Sequence, residues 1–68
     1  MTEEEKNTDE YRLKDALKHE EQATKLYRRY ARETDSEVLE EMFEQFAMNE
    51  SWHAAAIRKK LENLRAAK

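Results

Sequence analysis

The 68-residue sequence has no cysteine, no glycine and no proline. The first absence excludes a disulfide framework, a thiolate metal site and an iron–sulfur cluster, and it allows intracellular residence. The other two remove the usual helix breakers, so long helices are expected. Long apolar runs are missing as well: the longest, Ala54-Ala55-Ala56-Ile57, is far too short to span a membrane. No signal peptide is visible in the acidic start Thr2-Glu3-Glu4-Glu5-Lys6, so a cytoplasmic location and no membrane partner are expected. The net charge of −3 comes from 16 acids and 13 bases interspersed along the chain, which argues against nucleic acid as a partner.

Charged residues make up 43% of the chain and hydrophobic ones 38%, with Glu, Lys, Arg, Ala and Leu prominent, which is a helical composition. A lone pair of helices has one mutual interface. Chains this short without disulfides usually need a metal, a partner or both, so oligomerisation is expected from size alone.

The chain is organised around Phe46-Ala47-Met48-Asn49-Glu50-Ser51-Trp52-His53-Ala54-Ala55-Ala56-Ile57. It reads as helix, with an apolar stripe at Phe43, Phe46, Ile57, Leu61 and Leu64. The gap between Phe46 and Ile57 should hold the most buried residues of a bundle, yet it is filled by Glu50 and His53. Burying either unpaired is costly. Glu at i and His at i+3 is also the helical spacing at which both side chains reach one metal ion.

Residues 1–8 are polar, either frayed or an overture capped by Thr2 or Asn7, with Asn7-Thr8-Asp9-Glu10 as a capping box. A first helix is expected over about 9–33, with a stripe of Leu13, Leu17, Glu20, Ala23/Thr24, Tyr27 and Ala31. Glu20 lies seven residues after Leu13 and seven before Tyr27, so it too occupies a core slot. Glu21 shares a face with Lys14, Lys25 and Arg28. The break falls near Glu33-Thr34-Asp35-Ser36-Glu37, where Thr34-x-x-Glu37 is a second capping box and Asp35 or Ser36 an alternative N-cap. A second helix follows over about 36–65, although one unbroken helix is the alternative.

Charge favours an antiparallel hairpin. Residues 3–10 carry five acids and one Lys, and residues 58–68 carry five bases and one acid, so the two ends attract. Near the turn, Arg28, Arg29 and Arg32 are expected to face Asp35, Glu37, Glu40 and Glu41. Glu20 lies fourteen residues before Thr34 and Glu50 fifteen after Asp35. At ~1.5 Å per residue both sit about 21–22 Å from the turn, at one height, with His53 one turn farther.

One hairpin then supplies Glu20, Glu50 and His53, which is a half-site. Two hairpins about a two-fold axis form a four-helix bundle with four Glu and two His. That set resembles the ligands of ferritin-like di-iron and di-manganese carboxylate proteins. Mixed carboxylate and imidazole donors suit Fe or Mn better than structural Zn. Glu20-x-x-Ala23-x-x-Leu26-Tyr27 followed by Phe46-Ala47-x-x-Glu50-x-x-His53 is similar to the rubrerythrin and ferritin-like repeat. Its thirty-residue interval is most similar to the encapsulated ferritins.

The resemblance covers about residues 10–65 and implies an all-α, two-helix subunit. A ferroxidase centre would then be built across a homodimer interface, with dimers assembling into a ring. It implies a di-iron cofactor per dimer, with Mn or Zn as substitutes. Glu50 would bridge, His53 would ligate one iron, and Glu20 would be a terminal ligand. Encapsulated ferritins carry a C-terminal extension that addresses them to a protein shell. This sequence ends Leu64-Arg65-Ala66-Ala67-Lys68 without one, so an encapsulin-type shell as partner, and a location inside such a nanocompartment, are the weaker expectations. The cysteine-ligated domain of full rubrerythrins has no counterpart here.

Each residue has a plainer reading. Glu20, Glu50 and His53 could form a hydrogen-bonded polar layer that sets bundle register. Tyr27 is either a partner of a liganding carboxylate, an oxygen gate or an ordinary core aromatic. Met48, Trp52 and Ala55 form a smaller ridge, read as an assembly interface or a flank of the core. His19, off the stripe, is expected on the solvated surface. The leading function is Fe(II) oxidation. The alternatives are peroxide or oxygen detoxification at the same centre, and a non-enzymatic helical oligomer.

Overall fold

The computed structural model describes residues 8–67. It is an antiparallel hairpin of α1, Asp9–Glu33, and α2, Glu37–Ala66. The two helices pack against each other, and there is no strand among the described residues. Among the described residues no helix is long and apolar enough to cross a membrane.

Short polar side chains set the helix ends. Thr8 caps α1, its hydroxyl accepting from the Tyr11 amide at 3.1 Å. The cap is therefore Thr8, one residue after the expected Asn7; Thr2 and Asn7 lie outside the described residues. Ser36 caps α2, accepting from the Leu39 amide at 3.2 Å. Thr34 does not serve as that N-cap. Its amide closes α1 on the Tyr30 carbonyl, and its hydroxyl accepts from the Ser36 amide at 3.2 Å. One short turn is thus held by two successive hydroxyls, without glycine.

The helices touch most closely through small residues. Thr24 and Ala31 on α1, and Ala47, Ala54 and Leu61 on α2, are buried, each set recurring every seven residues. This corrects the expected centre of burial. The Phe46–Glu50–His53–Ile57 stripe flanks the contact line, with Phe46 and His53 exposed. Small side chains let two backbones approach, whereas bulky ones are pushed to the rim of the interface.

Four aromatic rings clamp the turn end of that rim. Tyr27 stacks on Phe43 with centroids 6.4 Å apart and meets Phe46 edge-on at 5.3 Å. Tyr30 lies 5.4 Å from Phe43. At the open end Arg65 reaches Glu10 at 3.9 Å, and farther in Arg58 reaches Glu21 at 3.5 Å, so the two ends do attract. Near the turn the expectation fails. Arg29 pairs with Glu33 of its own helix at 3.8 Å, and among the described residues no ion pair joins Arg28, Arg29 or Arg32 to the acidic start of α2. Arg29 also lies over the Tyr30 ring at 5.7 Å.

The Cα framework measures 48 × 24 × 11 Å, a slab one helix thick. Both broad faces meet solvent. On one, the groove face between the helices, Leu39, Met42 and Phe46 share a side of α2 by helical spacing and are exposed, as is Tyr30 of α1; Met48 and Trp52 are exposed elsewhere, 49% and 66%.

Candidate metal centre

Glu20, Glu50 and His53 converge on the groove face, midway along the slab. Each offers one donor atom, and these atoms lie within 4.8 Å of one another. Among the described residues this is the only group of three such side chains with that geometry. His53 Nδ1 stands 3.5 Å from Glu20 Oε2 across the helix interface and 3.8 Å from Glu50 Oε1 on its own helix. The hairpin register brings His53, one turn beyond Glu50, within reach of Glu20 across the interface, and the i, i+3 spacing produces the second approach.

Burial differs among the three. The carboxylates are mostly covered, at 24% and 25% exposed, while the imidazole is 61% exposed. Glu20 Oε2 is buried and makes no hydrogen bond. Such an orphan is expensive in a short helical hairpin, and a cation or a donor from outside the chain would satisfy it. The Glu50 carboxyl is held above its ordinary value. The close approach of the Glu20 carboxyl is the largest cause, then burial, then the charge of Glu20, against the opposing pull of His53.

Thr24 supports the site from below. Its hydroxyl donates to the Glu20 carbonyl at 2.9 Å, one turn back on α1. Its placement four residues after Glu20 was visible in the sequence, but a threonine on an apolar stripe reads as filler. Tyr27 packs in the aromatic clamp, and no hydrogen bond joins its hydroxyl to Glu20 or Glu50 among the described residues. His19 lies on the exposed side of α1, with Nδ1 3.7 Å from Asp15. Met48, Trp52 and Ala55 are exposed and do not flank the hairpin's own contact line.

The donor set fits a hard or borderline divalent ion: carboxylate oxygens with one imidazole nitrogen and no sulfur. It is also incomplete. Three donors on an open face leave half of a coordination sphere unfilled.

No curated protein and no solved structure matches the chain. Residues 12–68 match the family model described as Rubrerythrin, a span that takes in α2, all but the first three residues of α1 and all three converging side chains. The chain belongs to the rubrerythrin family, within the ferritin-like di-iron superfamily.

Proposed function

We propose that the hairpin is one half of a ferroxidase, completed when a second copy lays its groove face against the first. The observation that carries this reading is the convergence of Glu20, Glu50 and His53, with a covered Glu20 Oε2 that no hydrogen bond among the described residues satisfies. A two-fold axis beside the cluster would gather two Glu20, two Glu50 and two His53. With neutral imidazoles that set holds four negative charges, which two divalent ions neutralise. The same pairing would cover Leu39, Met42 and Phe46, which are exposed on one chain.

Iron bound there supplies one-electron redox chemistry toward dioxygen or peroxide. The remaining work falls to the chain. Glu20, Glu50 and His53 of both copies would hold the ions, with Glu50 proposed as the shared ligand and Glu20 and His53 as ligands to one ion. Because the ligands must be deprotonated, the raised Glu50 carboxyl makes loading weaker at low pH. Met48, Trp52 and Ala55, on a separate exposed surface, are proposed to join dimers into a larger ring. Storage of oxidised iron would need a surrounding compartment such as an encapsulin-type shell, because a slab one helix thick encloses no interior.

A second reading has support from the family match: reduction of peroxide or oxygen at the same centre, fed by an external reductant. The preferred oxidant separates the two.

The test is anaerobic Fe(II) titration of the metal-free chain, followed by air, with absorbance and native mass recorded together. Saturation at one iron per chain, a metal-linked rise in dimer and rapid oxidation are expected. A stable oligomer that takes up no iron would instead leave Glu20, Glu50 and His53 as a hydrogen-bonded register layer.

A further inference from the structure

The reverse face of the hairpin, opposite the carboxylate cluster, carries a notch of about 170 Å³. Its floor is Thr24 and Ala54, two of the most buried residues in the chain. The notch exists because Ser51 and Ala54 are too small to fill the space that α2 leaves beside α1. Three cations surround it: Lys25 and Arg28 from α1, and Arg58 from α2. One acid, Glu21, stands at its edge and takes up Arg58 at 3.5 Å.

Lys25 and Arg28 have no carboxylate within ion-pair distance among the described residues, unlike Lys14, Arg12, Arg29 and Arg65. The Ser51 hydroxyl, half-buried on the same wall, makes no hydrogen bond to a described residue. Two uncommitted cations and an idle hydroxyl therefore line one small cavity. The volume is ample for a small tetrahedral ion. A guanidinium grips such an ion through two parallel N–H bonds, and an ammonium adds a point charge.

We propose that this notch binds a tetrahedral oxyanion of the phosphate class, either the free ion or a terminal phosphoryl group. Arg28 is the bidentate donor, Lys25 the second charge and Ser51 the neutral donor. Glu21 tunes the site by holding Arg58 away from the anion. The site stands apart from the proposed iron chemistry and is testable without metal. It is built on residues directly following Glu20 and Glu50 in sequence, so the two faces of the same helical turns would carry opposite charge preferences.

The experiment titrates inorganic phosphate into the metal-free full chain at constant ionic strength, read by amide NMR. Saturable shifts centred on Lys25, Arg28, Ser51 and Ala54 are expected. Arg28→Gln and Lys25→Gln should each weaken binding by about tenfold or more, the range for hydrogen bonds to a charged group. Lys18→Gln and Arg32→Gln remove the same charge outside the notch and should cost less than about threefold, a screened surface effect. Glu21→Gln frees Arg58 and should tighten binding. All five side chains are exposed, so circular dichroism should report unchanged helicity in every variant. Glycerol phosphate in place of phosphate distinguishes the sources: equal affinity assigns phosphoryl groups, and weaker affinity assigns the free ion. Shifts that never saturate, or equal losses from Lys18→Gln and Arg28→Gln, would mean a diffuse ionic atmosphere and overturn the site.

Discussion

His53 stands closer to Glu20, 3.5 Å away on the other helix, than to Glu50, 3.8 Å away one turn back on its own. The histidine therefore bridges the hairpin as well as extending an i, i+3 pair. Its contact with Glu20 ties the register of the helices to the geometry of the donor cluster.

Glu20→Gln should separate stability from metal affinity. The substitution removes the charge of a carboxylate that has a buried oxygen without a hydrogen bond and stands next to a second carboxylate. The metal-free hairpin should become more stable by about 1 kcal/mol, the scale of one relieved unsatisfied polar group. Divalent metal binding should fall by about a hundredfold or more, since a ligand is lost along with its charge. Urea unfolding and metal titration of the same sample check both signs. A variant that is less stable and binds metal normally would contradict the donor assignment.

The pH dependence of the metal-free chain should run against the usual carboxylate trend. The folded chain holds the Glu50 proton more tightly than the unfolded chain, because of Glu20 and burial. The folded state then binds more protons, so stability falls as pH rises. This contribution is fully present below the ordinary value of 4.5 and is lost as pH climbs through the raised one. Thermal melts across that window should show the slope, and Glu50→Gln should flatten it. Metal affinity should move the opposite way and rise with pH, because loading displaces the proton.

Tyr27→Phe should change neither stability by more than about 0.5 kcal/mol nor metal affinity by more than about twofold, because its ring carries the contacts. A hydroxyl that oriented a ligand would cost about 10–100-fold in affinity instead. Phe43→Ala removes the ring that meets both Tyr27 and Tyr30, and should destabilise the hairpin by about 2–3 kcal/mol. Chemical unfolding of the two variants side by side makes the comparison.

Ser36→Ala removes the hydroxyl that caps α2 and should cost about 1 kcal/mol. Asp35→Ala, one residue earlier, should lie within about 0.5 kcal/mol of the parent chain. Urea midpoints of the pair would show which residue starts the second helix.

Phe46→Glu and Trp52→Glu should dissect assembly. Both residues are exposed on one chain, on different surfaces. The first places a charge in the proposed pairing groove and should yield monomers that bind iron weakly. The second should leave dimers with full iron stoichiometry and remove larger species. Native mass spectrometry with and without Fe(II) reads both results.

Periodicity made the two helices legible, because Leu13, Leu17, Tyr27, Phe43, Phe46 and Leu61 recur at helical spacing. Arithmetic from the turn brought Glu20 level with Glu50. Three features resisted the same reading. Hydrophobicity ranks Phe46 above Ala47, but backbone approach rewards the smaller residue, so the contact line runs through Ala47, Ala54 and Leu61. Local geometry won over long-range charge at Arg29, which took Glu33 on its own helix. The exposure of His53 depends on how far α2 is rotated against α1, which spacing alone leaves free.

The Thr34–Ser36 turn also has a kinetic consequence. Contacts along the hairpin close loops of growing size: sixteen residues separate Tyr27 from Phe43, thirty-three separate Glu20 from His53, and fifty-five separate Glu10 from Arg65. Each successive closure adds little, about 1 kcal/mol in total from the first to the last, so the helices can zip outward from the turn rung by rung. The carboxylate–imidazole rung lies halfway. Unzipping from the free ends must pass Leu61 before reaching it, and the aromatic clamp still holds the other side. A bound ion at this rung would act as a latch, stopping fraying of the outer half from spreading to the inner one.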